Sequence, residues 1–157
     1  VALDGVEDGS GLTNMKDDSI SDENYPRTMK DITFNATNAT YLLMFLETCM
    51  ATDVHTVPLS YTLEHIYPQK NKDQLQNKDL LNNIGNLTLY EGKNSGNGHK
   101  GNSSLGAKPY EVKKISYEGS SCLITRNVCK NFESFEEEDI IKRNIEIVHL
   151  LNEYTNY

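Results

Sequence analysis

Two phrases decide how this chain is read: Leu63-Glu64-His65-Ile66-Tyr67-Pro68-Gln69 and Ile84-Gly85-Asn86-Leu87-Thr88-Leu89-Tyr90. In the first, Thr62 to Ile66 alternates polar and apolar positions, the period of a half-buried strand, and Pro68 ends it. In the second, Gly85 marks a bend, and Asn86 to Tyr90 reads as another strand with Leu87 and Leu89 on one face. A loop with four glycines follows over residues 91–101. It leads into Asn102-Ser103-Ser104-Leu105-Gly106-Ala107-Lys108-Pro109-Tyr110. Asn102 to Ser104 has the residue types of a helix start, and Pro109 suits the first turn of a helix reaching about Tyr117. The expected order is strand, strand, helix, with polar tips gathered at one end.

Around this centre the chain reads as helices. Residues 69–79 form a polar connection with room for a helical turn, and Leu80-Leu81 anchors a segment ending at Asn82-Asn83. Upstream, Asn35 to Asn38 supplies N-cap residues for a helix over about 38–50. Leu42, Phe45, Leu46 and Cys49 fall at i, i+3, i+4 and i+7, which predicts one apolar face and a largely buried helix. Residues 54–61 read as a loop or short strand. Downstream, Ser121 is placed to cap a helix across Cys122–Cys129, and Phe132 and Phe135 are core anchors. A long helix over about 136–153 opens on four acids, which suit the positive helix end, and carries the stripe Ile140, Ile141, Val148, Leu151. Residues 1–24 are acidic and Gly/Ser-rich and read as a flexible lead-in, with Pro26 opening a short helix through Lys30.

Composition excludes several classes. The 157 residues suffice for one domain with a sizeable core plus a tail. Three cysteines, Cys49, Cys122 and Cys129, form no CxxC pair, so they point to core positions in a reducing compartment rather than to disulfides or a zinc knuckle. No apolar run approaches the roughly 20 residues of a membrane span, and the start lacks a signal-peptide pattern. The start also lacks an initiator Met, which suggests a piece of a longer protein. Two Asn-x-Thr triplets, at Asn35 and Asn38, are discounted as glycosylation acceptors because nothing points to secretion. The net charge is -8, yet residues 65–130 carry ten bases and five acids. The positive charge thus sits on the segment with the two phrases, where a local field can hold a polyanion.

Phosphodiester hydrolysis needs a water deprotonated, the phosphate charge offset and the leaving oxygen stabilised. A neutral imidazole can do the first, and a divalent cation the other two. The Glu64-His65 pair on a strand can divide such tasks, because neighbouring strand residues point to opposite sides. An Asn on the next strand can fix the loop or the imidazole, and a later Asn can offer a carboxamide oxygen to a hard metal.

Together the phrases resemble the HNH, or ββα-metal, nucleases. More closely, they are similar to the C-terminal nuclease domain of GmrSD-type, modification-dependent restriction endonucleases of bacteria. The resemblance covers about residues 25–157, with specific motifs in 63–114. It implies an α+β fold: a ββα-metal core over about 61–114 with a short two-stranded sheet, and C-terminal helices over 121–155. It implies a metal-dependent DNA endonuclease of a restriction or anti-phage system in the bacterial cytoplasm. By position, His65 matches the general base, Glu64 a metal ligand, Asn86 the Asn that orients the site, and Asn102 the second metal ligand. Lys108 falls where a phosphate contact is expected, with Lys100 and Lys113 as further nucleic-acid contacts. The cofactor implied is a divalent cation, Mg²⁺ first and Mn²⁺ next, and the partners are DNA and an upstream NTP-sensing domain.

Alternatives stay open from the residues themselves. The loop between Asn86 and Asn102 is longer than the resemblance suggests, and Asn94 or His99 are alternative ligands within it. Asn86 can be a turn residue, Asn102 a helix cap and the lysines a solvated face. His55 and His149 lack a partner phrase and read as structural or surface residues. The competing functions are a nucleic-acid-binding module with this fold but no turnover, and a ribonuclease.

Overall fold

The computed structural model describes residues 33–51, 60–92 and 105–155. Helix α1 spans Ala36–Met50 and is capped by Asn35, whose side chain accepts from the Asn38 amide at 2.8 Å. Strand β1 is Tyr61–His65 and strand β2 is Leu87–Glu91. Between them the chain makes three short 3-10 turns, Gln69–Gln74, Lys78–Asn82 and Ile84–Asn86. Three helices follow: α2, Tyr110–Glu118; α3, Leu123–Asn131; and α4, Glu137–Thr155. The fold is α+β, as expected, and suits a ββα core.

The two strands pair antiparallel, with Tyr61 opposite Glu91 and His65 opposite Leu87. Each strand lies within one residue of its expected limits. Strand β2 is buried along its whole length and divides the core. Leu87 and Leu89 join Leu43, Leu46 and Ile147 on one side, while Tyr90 joins Tyr110, Tyr117 and Phe132 on the other. This is the two-residue alternation of a strand sandwiched between layers. Helix α3 lies against β2, where Thr125 donates to the Leu89 carbonyl and sits 2.9 Å from the Thr88 hydroxyl.

Helix α4 grips the turn that precedes β2. A side chain on Gly85 would put its first carbon 2.0 Å from the Ile140 carbonyl oxygen and 2.9 Å from the Asn144 amide nitrogen. Only glycine permits that approach. The buried Arg143 donates through Nη1 to the carbonyls of Ile84, Gly85 and Leu87, at 3.2, 2.9 and 2.7 Å. Burial lowers its guanidinium to about 10, so it remains a cation at neutral pH.

Two expectations are corrected. Helix α1 does not bury the Leu42, Phe45, Leu46, Cys49 face. Its buried positions are Ala39, Leu43, Leu46 and Glu47, and Phe45 and Tyr41 are exposed. Ser121 does not cap α3. Cys122 holds the cap position without a side-chain bond, and Glu47 of α1 takes over by accepting from the Leu123 and Ile124 amides at 2.8 and 2.9 Å. A carboxylate from another helix thereby satisfies two orphan amides and faces the positive helix end. Of the cysteines, Cys122 is buried and Cys49 and Cys129 are half-buried. His149 is exposed. Residues 1–32 and 52–59, with the expected lead-in, short helix, loop and His55, lie outside the described residues.

Candidate functional site

The site lies where β1 ends. Strand alternation turns Glu64 inward and His65 outward, so neighbouring residues meet different surroundings. Asn86 closes the last 3-10 turn and faces the loop that leaves His65. It is fully buried, and both ends of its side chain are engaged. Its Oδ1 accepts from the Tyr67 amide at 2.7 Å, and its Nδ2 donates to the carbonyls of Leu81 and Tyr67, at 2.9 and 3.3 Å. Its own carbonyl accepts from the Ile66 amide at 2.9 Å. Asn86 thus ties two other stretches of backbone, Ile66–Tyr67 and Leu81, to its own and fixes the path of the chain as it leaves His65.

His65 is half-buried. Its Nε2 lies 3.1 Å from Asn82 Oδ1 and 3.4 Å from Gln69 Nε2. Nε2 thus faces both an acceptor, the nearer Asn82 oxygen, and a donor, the Gln69 amide. Burial holds the imidazole below its ordinary value of 6.5; the Asn82 bond works against this and the Lys113 cation adds to it. The ring is therefore neutral at neutral pH, the form a general base needs.

Glu64 is 1% exposed. Its Oε1 accepts from Lys113 Nζ at 2.7 Å and from the Tyr117 hydroxyl at 3.1 Å. Burial raises the carboxyl, and the Lys113 charge and the two hydrogen bonds oppose that rise. Lys113 is itself fully buried and also donates to the backbone carbonyl of His65. This corrects the expectation that Lys113 contacts nucleic acid: its ammonium is enclosed and already holds two acceptors. Lys108 is exposed just before α2. Asn94, His99, Lys100 and Asn102 lie outside the described residues. Among the described candidates, Glu64 and His65 share the end of β1 with their side chains in different surroundings, and Asn86 meets the backbone of Ile66 and Tyr67 just beyond them.

Sequence reasoning missed three participants. Asn82 had no motif to mark it, and Gln69 closes the first phrase but was given no role of its own. Tyr117 had a signal: Tyr110, Lys113 and Tyr117 stand at i, i+3 and i+7 and form the buried stripe of α2.

One Glu64 oxygen, Oε1, is held by Lys113 and Tyr117, and no group of three His, Cys, Asp or Glu side chains gathers among the described residues. No helix among them is long and apolar enough to cross a membrane.

Comparison with known proteins agrees with the phrases that carry the site. A search of curated proteins returned no match. The family model for the C-terminal domain of GmrSD restriction endonucleases matches residues 15–150, most of the chain and all of the elements around His65. The chain belongs to the family of GmrSD restriction endonuclease C-terminal domains.

Proposed function

We propose that this chain is an HNH-type DNA endonuclease domain in which His65 takes the proton from the attacking water. The observation that supports this best is the state of His65. It sits at the end of β1, kept neutral by burial, with Nε2 held beside Asn82. General-base assistance of this kind contributes about 10²–10⁴ in rate. Asn86 acts on the backbone around the ring and does not need to touch the substrate. Lys108, exposed, with Lys100, would hold the phosphate backbone without reading sequence.

Dependence on a divalent cation, Mg²⁺ first and Mn²⁺ next, belongs to the same proposal, with Asn102, Asn94 or His99 as the donors to test. So do an upstream NTP-sensing domain as partner, and a bacterial restriction or anti-phage system in the cytoplasm as the setting. A second reading is a nucleic-acid-binding module without turnover, and the commitment of Glu64 to Lys113 favours it. The experiment is conversion of supercoiled plasmid to nicked or linear DNA in Mg²⁺ or Mn²⁺, against an EDTA control, with labelled RNA alongside. Cation-dependent conversion of DNA supports the proposal. Retention of DNA without conversion supports the second reading, and cutting of RNA alone makes the chain a ribonuclease.

A further inference from the structure

We propose that the buried Glu64–Lys113 pair, closed by Tyr117, is a positioning device for His65 and not part of a metal-binding set; this rests on the nuclease reading of His65. A buried ion pair is a costly way to fill space. Desolvation of both charges offsets most of their attraction, and apolar residues of similar volume often serve stability as well or better. Its geometry supplies another use. One ammonium meets the side chain of Glu64 and the main-chain carbonyl of His65, so it holds both ends of that junction. Fixing the carbonyl fixes the peptide plane after His65, and with it the direction in which the ring leaves the strand. The far side is held independently by Asn86, whose carbonyl accepts from the Ile66 amide and whose side chain accepts from the Tyr67 amide. His65 therefore hangs between two buried clamps from different elements, one on α2 and one on the turn before β2.

Glu64 sets Lys113 in place. Its Oε1 takes both Lys113 and Tyr117, which stand one helical turn apart on the same face of α2. A cation seeking Oε1 would have to displace an ammonium and a phenol from an enclosed site. The pair therefore acts through His65, as positioning residues.

The test compares three variants of the 157-residue chain: Glu64→Gln, Lys113→Met, and the two together. The double variant removes both charges and so escapes the buried unpaired charge that can unfold either single variant. We expect its Tm to recover relative to the single variants while kcat for plasmid nicking stays down by about tenfold or more. KM for DNA and the Mg²⁺ concentration for half-maximal rate should remain within about twofold of the parent chain. The ¹³C resonance of the His65 carbonyl should move in Lys113→Met and in the double variant. Three results would each overturn the proposal: kcat returning together with Tm, a half-maximal Mg²⁺ concentration raised about tenfold by Glu64→Gln, or an unmoved His65 carbonyl. If the parent chain cuts no DNA, the nuclease reading fails, and the carbonyl resonance still decides whether Lys113 holds that backbone.

Discussion

Asn86 Oδ1 accepts the Tyr67 amide at 2.7 Å, while Asn86 Nδ2 reaches the Tyr67 carbonyl at 3.3 Å. One side chain thus pairs with both backbone groups of a single residue, in the way a neighbouring strand would. The loop past His65 is thereby tied to the turn before β2, although regular pairing ends at His65 opposite Leu87.

Asn86→Ala leaves the Tyr67 amide and the Leu81 carbonyl without their partner. Each buried group so orphaned costs about 1–3 kcal/mol, so a loss of about 2–6 kcal/mol is expected. Urea unfolding followed by circular dichroism measures it. Cleavage should fall further than the folded fraction does, because the surviving native molecules lose the path of the loop.

Gly85→Ala should destabilise by about 3 kcal/mol or more, since the added carbon meets backbone atoms of Ile140 and Asn144 that have no room to yield. The same unfolding measurement applies. A change below about 0.5 kcal/mol would mean that α4 does not sit directly on this turn.

Glu47→Ala removes the cap that α1 provides for α3. The expected loss is about 2 kcal/mol, the upper end for a lost helix cap, because two amides are orphaned. Hydrogen exchange should quicken first at Leu123 and Ile124.

The strand, turn and strand were legible because their signals are local. Pro68 and Gly85 mark where one strand stops and the next begins, the alternation Leu87-Thr88-Leu89 marks β2, and Asn86 stood out within its phrase. The buried face of α1 was not legible. Tyr41 to Leu46 is apolar on every side, so helical periodicity offered no contrast. Glu47 and Lys113 were hidden for another reason. A charged residue reads as solvated unless its partner is known, and these partners lie 76 and 49 residues away. Asn82 shows the same limit, since its role depends on a His65 ring 17 residues earlier.

Stability should depend on Glu91 at acid pH. Burial works to raise its carboxyl, but the Ser121 hydroxyl and amide and the Ser120 hydroxyl donate to it and outweigh burial, leaving it below 4.5. A group with a depressed folded value contributes stability that is complete above 4.5 and is lost as pH falls through the folded value. The stability gap between the parent chain and Glu91→Gln should therefore be widest near neutral pH and narrow progressively below pH 4.5. A gap that widens on acidification would contradict the assignment.

The most direct measurement is plasmid cleavage by His65→Ala beside the parent chain, in Mg²⁺ and in Mn²⁺, with Tm and DNA retention recorded for both. We expect the variant to fold, to retain DNA and to cut at least about a hundredfold more slowly. Cation-dependent cutting by the variant within about tenfold of the parent rate would contradict a proton-accepting role for His65.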